Sequence, residues 1–213
     1  MQDQELMDIW KSYDQKLEDV LSLNREIVQE ITRNKFNATI VSMRFPKRMM
    51  LLIGIPYTII LYFITFIAYQ AEAIFVVLGF GTISLIMSFT VISYIYHLIL
   101  ISQISRSQEL IQMQERIAKL KISSFLTTRL AILQLPFWTI CWMSLNALKA
   151  TPILYGGIHL LLFLAFSYLA YWLYQQLSIE NRDSRVSQFF LSGREWEPII
   201  KSSAILEQLK AYK

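Results

Sequence analysis

Two histidines and a single cysteine in 213 residues leave little for metal or nucleophilic chemistry, and the motifs that organise such residues are missing too. There is no His-Glu-x-x-His, no Cys-x-x-Cys, no Gly-x-Ser-x-Gly and no glycine-rich phosphate loop. Cys141 has no partner for an internal disulfide and lies inside an apolar tract, so it carries no information about redox compartment. His97 and His159 fall in or at the edge of apolar tracts, where an ionisable group is a functional candidate by default. For His97, hydrogen bonding within a Tyr94, Tyr96, His97 cluster is the simpler role. Gly79-Phe80-Gly81 sits in mid-tract and reads as helix packing. No catalytic residue, metal ligand or cofactor is expected.

Charge is the other scarcity. Only 17% of the residues are charged, against 54% apolar, a balance that a soluble domain of this length rarely shows. The charges crowd into residues 1–48, 101–129 and 175–213. Met49 to Tyr69 contains none, and at roughly 1.5 Å per residue this run makes a helix of about 31 Å, the thickness of a bilayer's hydrocarbon. Pro56 is expected to kink it. A second span follows from Ala73 to His97 or Leu100, a third from Leu130 to Leu148 interrupted by Gln134 and Pro136, and a fourth from Pro152 to Tyr174, with Tyr168, Tyr171, Trp172 and Tyr174 at its far end. Gln134 and Asn146 are expected to bond across helices or reach the interface. With no acidic residue in the cores of these spans, an ion or proton path has little to run on.

Nineteen of the 20 lysines and arginines lie in the two terminal segments and the central linker; the short turns between spans hold only Lys149. This positive-inside bias predicts an inner-membrane, multi-pass protein with both termini cytoplasmic, and it accounts for the net charge of +4 without nucleic acid. Because the first apolar run begins only near Met49, no cleavable signal peptide is expected. The expected fold is all-α and polytopic, four spans in two hairpins with cytoplasmic amphipathic helices. Its segments are 1–46 (helix and basic collar), 47–100 (first hairpin), 101–129 (linker), 130–174 (second hairpin) and 175–213 (tail). Arg44, Lys47 and Arg48 around Pro46 form the collar, fixing topology or meeting lipid headgroups.

What is present in abundance is helical periodicity. Leu6, Trp10, Tyr13, Leu17, Val20, Asn24, Ile27 and Ile31 alternate strictly between spacings of four and three, a heptad seam with one polar member at Asn24. So narrow a stripe wants a partner. Leu110, Met113, Ile117 and Leu120 repeat at three, four and three on a helix expected to continue the second span into water as residues 103–122, so the two seams are expected to be able to pack together. In the tail, Asn181 to Ser187 reads as loop, Gly193 as a stop, and Pro198 as the opening of a helix carrying Ile199, Ile200, Ile205, Leu206 and Leu209. The first seam can instead serve as a docking face for a cytoplasmic protein, or pair with a second copy of the chain.

At Leu6, Ile9-Trp10-Lys11-Ser12-Tyr13-Asp14, Lys16-Leu17 and Leu23-Asn24 the sequence resembles a group of small Bacteroidota membrane proteins that open with a Leu-x-x-x-Trp, Tyr, Lys-Leu, Asn pattern and continue into a bundle of spans. The resemblance covers about the first 35 residues and the general layout. Such proteins are often encoded beside extracytoplasmic-function sigma factors, so it implies a membrane-bound anti-sigma factor or related regulator, whose cytoplasmic helices hold a sigma factor away from RNA polymerase until a membrane signal releases it. The His-x-x-x-Cys-x-x-Cys motif of the zinc-binding class is absent, and a zinc trigger is not implied.

Overall fold

Apolar length dictates the frame. The computed structural model describes residues 2–107, 109–177 and 197–211, and all regular structure among them is helical: α1 (Gln2–Ser42), α2 (Arg44–Gln70), α3 (Ile74–Arg106), α4 (Leu110–Ile132), α5 (Leu135–Cys141), α6 (Leu145–Ala150), α7 (Pro152–Gln176) and α8 (Glu197–Ala211). Three helical stretches are long and apolar enough to cross a membrane, Tyr13–Gln70 through α2, Ile74–Arg106 and Pro152–Gln176, which marks the chain as a membrane protein. The loop and stop expected at Asn181 to Ser187 and Gly193 lie outside the described residues, as do the side chains of Leu6, Leu110, Leu206 and Leu209.

α1 and α2 are separated by Met43 alone, whose backbone stays in the right-handed helical region. Pro46 explains the interruption: it has no N–H to return to the preceding turn, a loss that costs nothing in the first turn of a new helix. Pro56, by contrast, lies inside α2 without ending it. The α2–α3 hairpin closes through paired bonds, Ala73 N–H to Ala68 O at 2.9 Å and Glu72 N–H to Tyr69 O at 3.1 Å, with Glu72 at φ 55° in the position that normally takes glycine.

α3 spans 33 residues, about 50 Å at roughly 1.5 Å per residue, well beyond a hydrocarbon layer of about 30 Å. The expected continuation through residue 122 is not what forms. Backbone at Ser107 and Glu109 turns extended, and α4 doubles back along α3. The antiparallel register is fixed by the Arg116 guanidinium donating to Gln103 O at 2.7 Å and by His97 Nε2 and Ser123 Oγ at 2.9 Å. The turn is tied by Ser107 Oγ to Gln112 Oε1 and by Gln112 Nε2 to Glu109 Oε2. Reversal lets Leu100, Ile101 and Ile104 bury against Met113, Ile117 and Leu120, which one continuous helix would leave in water.

The segment expected as a single third span is three pieces. α4 runs uninterrupted through the expected boundary at Leu130, breaks at Leu133–Gln134 where Pro136 removes a backbone donor, resumes as α5, breaks again after Cys141 and ends in α6. α5 still follows α3, reaching Gly79 through Cys141 and Phe80 through Trp138 at 5.9 Å between ring centres. α7 lies against α5 and α4, its end held where Arg129 Nε donates to Leu177 O and the guanidinium rests 4.8 Å from the Tyr174 ring. Its outer face, including Ile153, Leu161 and Leu164, is exposed, as a lipid-facing surface is.

Two cores result. One, between α2, α3 and α5, contains Leu61, Ile83 and Cys141 with Tyr57, Phe80 and Trp138 around them. The other joins the ends of α1, α3 and α4 with α8, through Phe36, Ile40, Met43, Leu100, Ile104, Ile117, Phe125, Ile199 and Ile205. The seam on α4 and the apolar face of α8 are therefore part of a core; the seam on α1 is not.

Candidate interaction surface and the buried polar cluster at its base

α1 is a 41-residue helix, about 61 Å long at roughly 1.5 Å per residue. Its buried residues Phe36, Ile40, Met43 and, beyond the Ser42–Arg44 joint, Lys47 repeat at four, three and four. The seam follows the same spacings but out of phase, since its next members after Ile31 would fall at residues 34 and 38. At roughly 100° per residue the two faces point about 160° apart. Packing one face into the core thus turns the other outward. Trp10 is 69% exposed and Ile31 61%, with Tyr13, Leu17, Val20, Asn24 and Ile27 exposed between them. The expected packing of the two seams is not formed among the described residues.

Spacing assigns Trp10, Leu17, Asn24 and Ile31 to heptad position a, and Leu6, Tyr13, Val20 and Ile27 to position d. The structure adds Met7, Leu21 and Leu23, all exposed beside the seam. Four-three alternation does not pick them out as seam members, yet as e and g neighbours they widen the stripe. At the e and g positions charge is confined to Asp14, Lys16 and Glu30, with Lys16 standing 6.0 Å from the Tyr13 ring.

At the foot of α1 lies a polar cluster assembled from three helices. Lys47, only 2% exposed, places its ammonium 4.7 Å from the centre of the Tyr94 ring on α3. That is cation–π distance, at which an aromatic face partly replaces lost water. Tyr94 meets His97 edge-on at 5.7 Å, and His97, with no exposed surface, bonds through Nε2 to Ser123 on α4. Of the expected collar, Arg44 is half-buried and Arg48 exposed, so only part of it is placed to meet headgroups. The burial of Lys47 had no sequence signal apart from its four-residue spacing from Met43.

His97 and His159 are not brought together. His159 packs edge-on against Tyr155 at 4.4 Å, and the Tyr155 hydroxyl accepts from Ser144 N–H and donates to Trp142 O. Among the described residues, no three His, Cys, Asp or Glu side chains gather where they could hold a metal ion. The His97 ring is fully enclosed; what the cluster can do is lock α2, α3 and α4 together beneath the protruding helix. No protein-family model, curated protein or solved structure matches the chain.

Proposed function

We propose that this chain is a membrane-anchored regulatory binding protein that presents the outward stripe of α1 to a helical segment of a cytoplasmic protein. The observation that carries the reading is the opposed phasing of the two α1 faces: a partner can cover Trp10 to Ile31 without disturbing the contacts of Phe36, Ile40 and Met43. An amphipathic helix offered to an apolar groove or helix is a recurrent recognition mode. The resemblance of the first 35 residues supports a sigma factor as that protein. In this reading the chain sits in the bacterial inner membrane with both termini cytoplasmic, on the lysine and arginine bias, and crosses it four times. The kinked α4–α5 segment makes the third crossing, because it follows α3 antiparallel as far as Gly79.

The test uses the full-length chain, purified from its host's membranes and probed for each of the host's sigma factors, beside a Trp10→Ala, Leu17→Ala variant. Retention of one sigma factor by the parent and its loss from the variant supports the proposal. Equal retention, or none by the parent, removes it.

A second reading is favoured by Asn24. An asparagine at position a fixes register in parallel coiled coils, and two copies anchored in one bilayer are constrained to be parallel. The occupant of the stripe is then a second copy of α1, and the chain is an assembly subunit. Oxidative crosslinking through Val20→Cys in a Cys141→Ser background distinguishes the two: efficient homodimer formation favours self-pairing.

A further inference from the structure

We propose that a groove between α3 and α4, at the end of the bundle where α1 joins, holds the headgroup of an anionic phospholipid. The groove has a volume of about 440 Å³ and is lined from α3 by Tyr96, Ile99 and Gln103 and from α4 by Glu115, Arg116 and Lys119. Its two ends differ in chemistry. Toward the bundle centre α3 exposes Phe89 and Ile92, at helical spacing with Tyr96 and Ile99 of the groove, and on α4 Ile122 and Leu126 continue the face that bears Lys119. An apolar runway capped by a polar, cationic mouth is the complement of a lipid's acyl chains and phosphate.

The groove's inner edge begins at the interfacial level. Lys47 beside Tyr94 marks the level where charged side chains begin on α2, and Arg129, held at Tyr174 and Leu177 O, the level where they begin on α4 itself. Tyr96 and Ile99 follow within two turns. Tyrosine rings prefer this layer, and long basic side chains reach back toward it along apolar surface.

The charge balance selects the ligand. Arg116 spends one N–H on Gln103 O at 2.7 Å, which holds the guanidinium at the groove while leaving other donors for a phosphate oxygen. Lys119 pairs with Glu115 at 2.7 Å; both are more than half exposed, and such pairs exchange partners at little cost. Lys119 also holds the Glu115 carboxyl below its ordinary range, so Glu115 is ionised at neutral pH. Two cations against one carboxylate leave a single positive charge, suited to the phosphodiester of phosphatidylglycerol more than to a free phosphate dianion. This site is separate from the stripe on α1 and stands or falls independently of it.

The experiment is native mass spectrometry of the full-length chain released from detergent after incubation with equal amounts of phosphatidylglycerol and phosphatidylcholine. The phosphatidylglycerol adduct should predominate and resist excess glycerol phosphate. Arg116→Gln and Lys119→Gln should each weaken it by about five-fold. Arg25→Gln, on the exposed surface of α1, should leave it unchanged, and Glu115→Gln, which removes the opposing charge, should strengthen it, a gain that misfolding cannot imitate. The proposal is overturned by absence of headgroup preference, by displacement with glycerol phosphate, by adducts unchanged in the Arg116 and Lys119 variants, by a Glu115→Gln adduct that is no stronger, or by loss in Arg25→Gln.

Discussion

Ile31 and Phe36 are five residues apart on the same helix and face opposite environments: Phe36 has no exposed surface, whereas Ile31 keeps 61% of its own. The heptad phase of α1 slips between them, and the slip converts one helix into a core element at its base and an unpartnered stripe along its length. Truncation should separate the two roles. Phe36→Ala should destabilise the chain by about 3 kcal/mol, the cost of an apolar cavity. Ile31→Ala should stay within about 0.5 kcal/mol, as at other exposed positions. Thermal unfolding of both variants in one detergent measures the difference, and equal losses would mean that the stripe is buried in the isolated protein.

The slip also shows where sequence reading stops. Strict four-three alternation exposed the seam, but nothing in it tells an outward stripe from an inward one; only the competing Phe36, Ile40, Met43 phase decides, and that face is filled by α3 and α8 from far along the chain. The reversal at Ser107 was equally hidden, since no proline or glycine punctuates it and the gain from pairing Ile104 with Met113 and Ile117 is tertiary. Breaks near Gln134 and Pro136 were legible, because proline acts through local backbone chemistry. Charge and proximity to Pro46 place Lys47 in a collar that fixes topology or meets headgroups; nothing local signals its burial against Tyr94, 47 residues away.

The polar cluster should respond to loss of one member. Ser123→Ala leaves the Nε2 of the enclosed His97 without its 2.9 Å partner, at a cost of about 1–3 kcal/mol. In a His97→Phe background the same serine substitution should cost almost nothing. A double-mutant cycle by thermal unfolding gives the coupling, and additive losses would show that the bond contributes nothing.

Helix contact between α3 and α5 depends on Gly79. A Cβ built there would stand 2.5 Å from Cys141 Sγ and 2.8 Å from Cys141 N, and the backbone atom cannot swing aside. Gly79→Ala should therefore force the helices apart and cost about 1–3 kcal/mol. Gly157, whose Cβ would meet nothing within 4 Å, provides the control: Gly157→Ala should be neutral or stabilising by up to about 1 kcal/mol. Thermal shifts of the two variants in opposite directions would bear out the packing.

Glu72 holds φ 55° at a helix end that closes with bonds to Ala68 and Tyr69, geometry that suits a residue without Cβ. Glu72→Gly should raise stability by about 1 kcal/mol, although it deletes a charge and adds backbone freedom. A lower unfolding temperature for the glycine variant would mean that the Glu72 side chain contributes more than its strained backbone costs.

Whether α4–α5 crosses the bilayer has a sharp signature, since it sets the parity of crossings between α1 and α6. If only α2 and α3 cross between them, Glu30 and Lys149 are on one side; a third crossing puts them on opposite sides. Both positions are exposed. Cys141 is buried with its thiol bonded to Phe137 O, so a serine can replace it and keep that bond. In the Cys141→Ser background, a membrane-impermeant maleimide applied to intact cells should label Lys149→Cys and should label Glu30→Cys only after permeabilisation. Labelling of both before permeabilisation, or of neither, would leave α4–α5 on one side of the membrane and the chain with three spans. The reverse pattern would keep four spans and invert the orientation, placing the α1 stripe outside the cytoplasm and out of reach of any sigma factor.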